Sequence, residues 1–170
     1  EQIWDAFVTA AAEAMQRIGI GHGLAESTQM GPAVSEQQRT RILGYLEQGM
    51  RTGASVVLAG GPAQVPGCQD GFYVKPALLS GGLENICARE EIFGPVAYLI
   101  RFREEGEAID MVNRSPYGLA NSVWSGDVAR ATRVGEALVA GNSWINAHNV
   151  FARGIPYAGC GVTASAVGMD

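Results

Sequence analysis

Apolar residues in the first part of the chain recur at helical spacing. Ile3, Phe7, Ala11, Ala14 and Ile18 lie three or four positions apart and predict an amphipathic helix that Gly19 stops. The stretch IGIGHGLAESTQMGPAVS (18–35) is rich in turn formers and poor in apolar residues, so a long surface loop follows. Ser35 and Gln38 then give an S-x-x-Q capping box, in which each side chain satisfies a free backbone N–H of the helix start. Ile42, Leu43, Leu46 and Met50 line one face of that helix, and Gly53 ends it. SVVLA (55–59) is short and β-branched and predicts a buried strand, broken by Gly60, Gly61 and Pro62.

The pattern changes after a loop holding Pro66, Gly67 and Gly71. FYVKPALL (72–79) predicts an extended segment near a sheet edge, because Pro76 cannot donate to a ladder. PVAYLIRF (95–102) predicts another strand. EEGEAIDMVNRS (104–115) predicts a short helix with Ala108, Ile109 and Val112 inward, and LANSVWS (119–125) a strand. Asp127 is a good N-cap for a helix carrying Ala131, Val134 and Leu138, which Gly141 stops before the strand NSWIN (142–146). Strand, helix, strand, helix, strand between residues 95 and 146 is an α/β pattern: a mainly parallel sheet with flanking helices.

Composition narrows the class. With 47% apolar and 17% charged residues, the 170-residue chain has the balance of a folded globular protein with a real core. A net charge of −5 argues against nucleic acid, whose binding needs a basic surface. No apolar run approaches the roughly 20 residues of a membrane helix, so no membrane partner is expected. No basic segment followed by an apolar core opens the sequence, and no signal peptide is expected. The three cysteines, Cys68, Cys87 and Cys160, are odd in number and widely spaced. They suggest a reducing compartment, and the cytoplasm is the expected location. His22 and His148 are far apart with no cysteine at ligand spacing, so no metal site is expected.

In open parallel sheets ligands gather at the carboxyl ends of strands. The loops after Phe102, Trp124 and Asn146 are therefore candidates for a site. The turn REEIFGP (89–95) asks for its own explanation. Glu90 and Glu91 read either as an ordinary solvated pair or as a ligand contact at a sheet edge.

EEIFGPV (90–96), NRSPYGLANSVWS (113–125), ALVAGNSWINAHNVF (137–151) and IPYAG (155–159), in this order and at this spacing, resemble the aldehyde dehydrogenase superfamily. So do MGPAVSEQQRTRILGYLEQGMRTGASVVLAGG (30–61) and GFYVKPALL (71–79). The resemblance runs from near residue 1 to about Gly159. It implies a partial catalytic domain over 1–159 and a divergent tail over 160–170. By this resemblance Glu91 bonds the ribose hydroxyls on the nicotinamide side of NAD or NADP, a task that suits a carboxylate because it accepts from two vicinal hydroxyls at once. Phe93 would pack beside the nicotinamide ring, its alternative being a core position. Asn149 and Phe151 would line the tunnel of a small aldehyde substrate. His148 shares that loop, with a partly exposed polar side chain as its other reading.

Family chemistry is covalent: a cysteine thiolate attacks the aldehyde, hydride leaves to NAD or NADP, and water hydrolyses the thioester. The resemblance places that cysteine, the general base and the cofactor domain before EQIWDAFV (1–8). No residue here is assigned as catalytic, and the chain alone is expected to be inactive and to hold cofactor weakly. None of the three cysteines has a persuasive electropositive setting, Arg89 near Cys87 being the nearest case. The tail reads PYAGCGVTASAVGMD, with Ala158 and Gly161 where the family has Gly and Lys and without the final strand of its oligomerisation flap. Three readings stay open: a fragment or truncated member of the family, a non-catalytic self-associating module, and half of a split enzyme needing a separate cofactor-domain chain. A homo-oligomer is expected from the apolar strands.

Overall fold

Ser35 starts the longest helix by local chemistry. Its Oγ accepts from the Gln38 backbone N–H at 3.2 Å, and α2 runs Glu36–Arg51 to a cap at Thr52, with Gly53 at φ +97° just beyond. The structure, a computed structural model, describes residues 3–151 and 153–159. The expectations for Cys160 and the 160–170 tail lie outside the described residues. Two compact units divide the chain, Glu1–Arg101 and Phe102–Asp170.

The first unit begins with α1 (Trp4–Gln16), a helix where one is expected, though it ends before Gly19. It buries no residue completely, and of its predicted inward face Ile3, Phe7 and Ala14 are exposed, with Trp4, Val8, Ala11 and Met15 among the half-buried positions. After α2 come β1 (Ser55–Leu58), β2 (Gly61–Pro62), β3 (Val74–Lys75), β4 (Ala77–Ser80), α3 (Ile86–Arg89) and β5 (Val96–Leu99). β1, β4 and β5 form one sheet in that order, β4–β5 parallel from Ala77↔Val96 to Ser80↔Leu99 and β1–β4 antiparallel; β2 and β3 pair as an antiparallel ribbon. Two expectations are corrected here. SVVLA is not buried: β1 is an edge strand with Ser55 and Val56 exposed. The segment with Pro76 is not an edge: β4 is the central strand and the most buried. Pro76 breaks the segment into β3 and β4, so its missing N–H falls between two ladders and removes nothing from either.

The core of this unit is Ile42 and Leu46 of α2 against Val74, Ala77, Leu79, Cys87 and Ile92. Leu43 is half-buried, while Met50, expected inward, is exposed. Burying a side chain of the size of Ile42 or Leu79 contributes roughly 1.5–3 kcal/mol.

In the second unit, α4 (Glu105–Asn113), β6 (Ala120–Val123), α5 (Val128–Ala137) and β7 (Asn142–Ile145) follow one another. β6 and β7 are parallel, from Ala120↔Asn142 to Val123↔Ile145. Asp127 caps α5 as expected, its Oδ1 accepting from the Arg130 N–H at 3.1 Å. The helix ends at Ala137, four residues before the predicted stop at Gly141. Ala131 is fully buried. Gly135 lies so close to the sheet that a Cβ there would stand 2.8 Å from Ile145 Cδ1. Val112 of α4, expected inward, is exposed.

The architecture is α/β with helices on mixed sheets: β4–β5 and β6–β7 pair in parallel, β1–β4 and β2–β3 antiparallel. The expected run from residue 95 to 146 divides between two sheets: β5 completes the first unit's sheet, and β6 and β7 make their own ladder.

Candidate functional site

Residues 90–95 hang between α3 and β5, and α2 holds them at both ends. At the far end of α2, the buried Asn85 caps α3 through Oδ1, which accepts from Cys87 N–H at 3.0 Å. Its Nδ2 donates to Gly49 O at 2.9 Å and to Thr52 Oγ1 at 3.1 Å. At the near end, Gln38 Nε2 donates to Ile92 O at 3.1 Å and to Phe93 O at 2.9 Å. The capping box expected from Ser35 and Gln38 is thus only half used: the backbone of Gln38 serves the cap and its side chain serves the loop. Arg41, one turn further, donates to Glu91 O at 3.4 Å and lies over the Tyr45 ring at 5.5 Å. The Tyr45 hydroxyl first, then the charges of Glu90 and Glu91, hold its guanidinium pKa above the ordinary arginine value.

The loop alternates. Ile92 is buried in the core cluster, while Glu91 and Phe93 on either side point away from it. Phe93 is 77% exposed, so its reading as a core residue is overturned. Its backbone sits at φ +55°, a left-handed conformation that costs a non-glycine residue roughly 1–3 kcal/mol. Gly94 follows at a point where a Cβ would stand 2.6 Å from both Ile42 Cδ1 and Cγ1, so the backbone closes on α2 only because no side chain is there. Beside Phe93 opens a cavity of about 340 Å³, lined by Met30, Val34, Ile42, Val74 and Pro95 among others. An exposed carboxylate and a rigidly mounted aromatic ring two residues apart can bind a polyol with one and a flat ring with the other.

The second predicted pair lies in the other unit. Asn149 has φ +56° and Phe151 is exposed, both in the loop after β7. Three fastenings hold that loop. Asn146, itself at φ +50°, exchanges two hydrogen bonds with the Ser125 backbone at 2.9 Å each. His148 Nδ1 lies 2.7 Å from Ser122 Oγ, and Trp144 Nε1 donates to Val150 O at 2.8 Å. Aromatic rings collect around Trp144: His148 at 5.4 Å, Phe151 at 6.0 Å and Tyr157 at 6.3 Å, with Phe151 and Tyr157 edge to face at 4.9 Å. This is an apolar wall with one imidazole at its rim. Glu91 and Phe93 are thus brought together in one loop, and Asn149 and Phe151 in another.

The sequence model of the aldehyde dehydrogenase family matches residues 1–170. The chain belongs to the aldehyde dehydrogenase family. It is 38% identical over 151 residues to an aldehyde dehydrogenase of Deinococcus radiodurans, covering 89% of this chain and 29% of that protein. It is 40% identical over 158 residues to a betaine aldehyde dehydrogenase of Mesorhizobium japonicum, covering 92% and 32%. Among solved structures, the NAD+ complex of an aldehyde dehydrogenase from Bacillus cereus superposes with a TM-score of 0.86 at 34% identity, over 94% of this chain and 32% of that one. The chain thus spans about a third of the length of the aldehyde dehydrogenases it matches.

Several residues that shape these loops escaped the sequence reading. Gln38 was visible only as a capping residue, and Asn85 and Arg41 carried no signal at all. Trp144 was read as part of a strand and Tyr157 as part of a family segment. Of the cysteines, Cys87 is buried with Sγ 3.2 Å from Tyr45 O, and burial pushes its thiol pKa up, away from the reactive thiolate. Among the described residues no three His, Cys, Asp or Glu side chains gather as a metal site, and no helix is long and apolar enough to cross a membrane.

Proposed function

We propose that these residues form part of the catalytic domain of an NAD(P)-dependent enzyme that oxidises an aldehyde to a carboxylic acid through a cysteine thioester. The observation that carries the reading is the mounting of Phe93: exposed, left-handed, and held between Gln38 and Gly94 beside the exposed Glu91. Such a loop costs stability, and a cofactor contact accounts for it. Nicotinamide dinucleotide, when bound, supplies the hydride acceptor. Glu91 would take the ribose hydroxyls of the nicotinamide half and Phe93 would limit the movement of its ring. Asn149 and Phe151 would wall the aldehyde site, with Trp144 and Tyr157 behind Phe151. Free Cys68 and Cys87 support a reducing, cytoplasmic setting, and the exposed apolar residues of α1 and β1 support a homo-oligomer.

The substrate reading can be narrowed. Aromatic faces attract quaternary ammonium groups, and the grouping of Trp144, Phe151 and Tyr157 favours betaine aldehyde, the substrate that relatives such as the Mesorhizobium japonicum protein are named for.

Saturation-transfer NMR tests both halves on this chain and tolerates weak binding. Saturating protein signals should attenuate the nicotinamide-ring protons of NAD, and Glu91→Ala or Phe93→Ala should remove most of that transfer. The trimethylammonium protons of betaine aldehyde should respond likewise and lose the effect in Phe151→Ala. Transfer that is absent from NAD, or undiminished in the loop variants, removes the cofactor reading. The same results for betaine aldehyde remove the substrate reading alone.

A further inference from the structure

Gln38 stands out because one side-chain amide serves two consecutive carbonyl groups. Its Nε2 reaches Ile92 O and Phe93 O, so the bonds grip the two carbonyls on either side of the Phe93 backbone. Phe93 is also the one residue among 90–95 whose φ is left-handed, at +55°. Nothing in the local sequence of 90–95 favours that conformation for a phenylalanine. The restraint comes from α2, 54 and 55 positions away in the chain. Ile42, one turn beyond Gln38, closes the other side by its contact with Gly94. Arg41 adds a longer bond to Glu91 O.

We propose that Gln38 is the positioning residue of the cofactor loop. It sets the direction of the exposed Phe93 ring and of Glu91 without touching the cofactor through that bond pair. The proposal rests on the reading of Glu91 and Phe93 as cofactor contacts, but its physical core, the restraint of Phe93 by Gln38, is separate from it. The amide chemistry is specific. Both NH₂ protons are used as donors, so a carboxylate of the same shape presents oxygen to two carbonyl oxygens and repels them. A thioether of similar length keeps the bulk and the helix propensity but donates nothing.

The test is backbone ¹⁵N relaxation on the whole 170-residue chain, comparing wild type with Gln38→Met and Gln38→Glu. In the wild type the Phe93 amide should have the order parameter of rigid backbone, about 0.85, and in both variants it should fall below about 0.6. Amides of β4 and of the middle of α2 should stay unchanged. A purely structural role would loosen the whole unit together, and that result overturns the proposal. So does a Phe93 that stays rigid in Gln38→Met. Should Gln38→Glu fail to fold, Gln38→Met decides. In the wild type, scalar couplings through the hydrogen bonds from Gln38 Nε2 to the carbonyl carbons of Ile92 and Phe93 give a check that needs no variant. Their absence at Phe93 overturns the proposal. Titration with nicotinamide mononucleotide completes the experiment. A wild-type loop that shifts, and variant loops that do not, support the role toward cofactor. If the wild-type loop does not respond while the relaxation result holds, Gln38 still positions the loop and the cofactor reading is what fails.

Discussion

Gly94 shows how much of this loop depends on a missing atom. Phe93 and Gly94 turn the chain from an exposed ring to the start of β5 within two residues. The turn closes against Ile42, which is 1% exposed and has no room to move. Gly94→Ala places a Cβ 2.6 Å from two Ile42 carbons. Overpacking of a buried contact typically costs about 1–3 kcal/mol. Urea unfolding of Gly94→Ala should show a loss in that range, with the m-value unchanged. A variant as stable as the wild type would mean that α2 and the loop are not held as tightly as the geometry states. At this scale the sequence was legible where the chemistry was local. Asp127 as a cap and Gly53 as a stop act on neighbours within three or four residues, and both are where they were expected. Gln38 was misread because its short-range pattern suits a cap while its side-chain partners lie more than 50 residues away. Tyr157 and Trp144 meet across 13 positions for the same reason. Phe93 looks like core by composition, and only the left-handed turn between Ile92 and Gly94 sends it outward.

At the element scale the helices form where apolar periodicity places them, but Phe7, Met50 and Val112, expected inward, are exposed, and strand burial departs from expectation as well. A four-residue strand such as β1 has too few positions to show which face or which edge it takes. Its place in the sheet was set by pairing with β4, which no local pattern records. Elements also meet through charge. Glu105 in the first turn of α4 receives Arg130 Nε of α5 at 2.7 Å and is paired with Arg133 as well. The hydrogen bonds from Arg133 and then Arg130 hold its carboxyl down at about 2. A depressed folded-state value means the stabilisation is fully present above the unfolded carboxylate value, about 4.3. It is lost as the pH falls from there through about 2. The melting temperature of Glu105→Gln should therefore lie below that of the wild type near neutral pH, and the two should converge on acidification to about pH 2. High salt should narrow the gap, because these groups face water. A gap that stays constant across the acid range would show that the pair contributes nothing through charge.

For the whole molecule, apolar surface is the feature that the sequence and the structure both bring forward. α1 buries no residue completely, and Phe7 on it and Ile3 at its N-cap are more than half exposed. α1 packs against β1, whose Val56 is 47% exposed on an edge of the three-stranded sheet. Edge strands offer unpaired backbone groups, and natural edges are usually guarded by charge, proline or a bulge. β1 reads Ser-Val-Val-Leu and carries no charge; its one guard is the register shift between Val56 and Leu58. The parallel ladders that normally need cover on both faces make the same demand. We propose self-association through this edge, and light scattering coupled to size exclusion at high micromolar concentration should give a dimer or a larger assembly. Val56→Lys puts a charge on the exposed edge position and should shift the species toward the monomer without loss of fold, since that side chain adds nothing to the buried core. A wild-type mass of 17.9 kDa under the same conditions would rule out this association. An assembly that persists unchanged in Val56→Lys would move the interface away from β1, toward the exposed Ile3 and Phe7 at the start of α1.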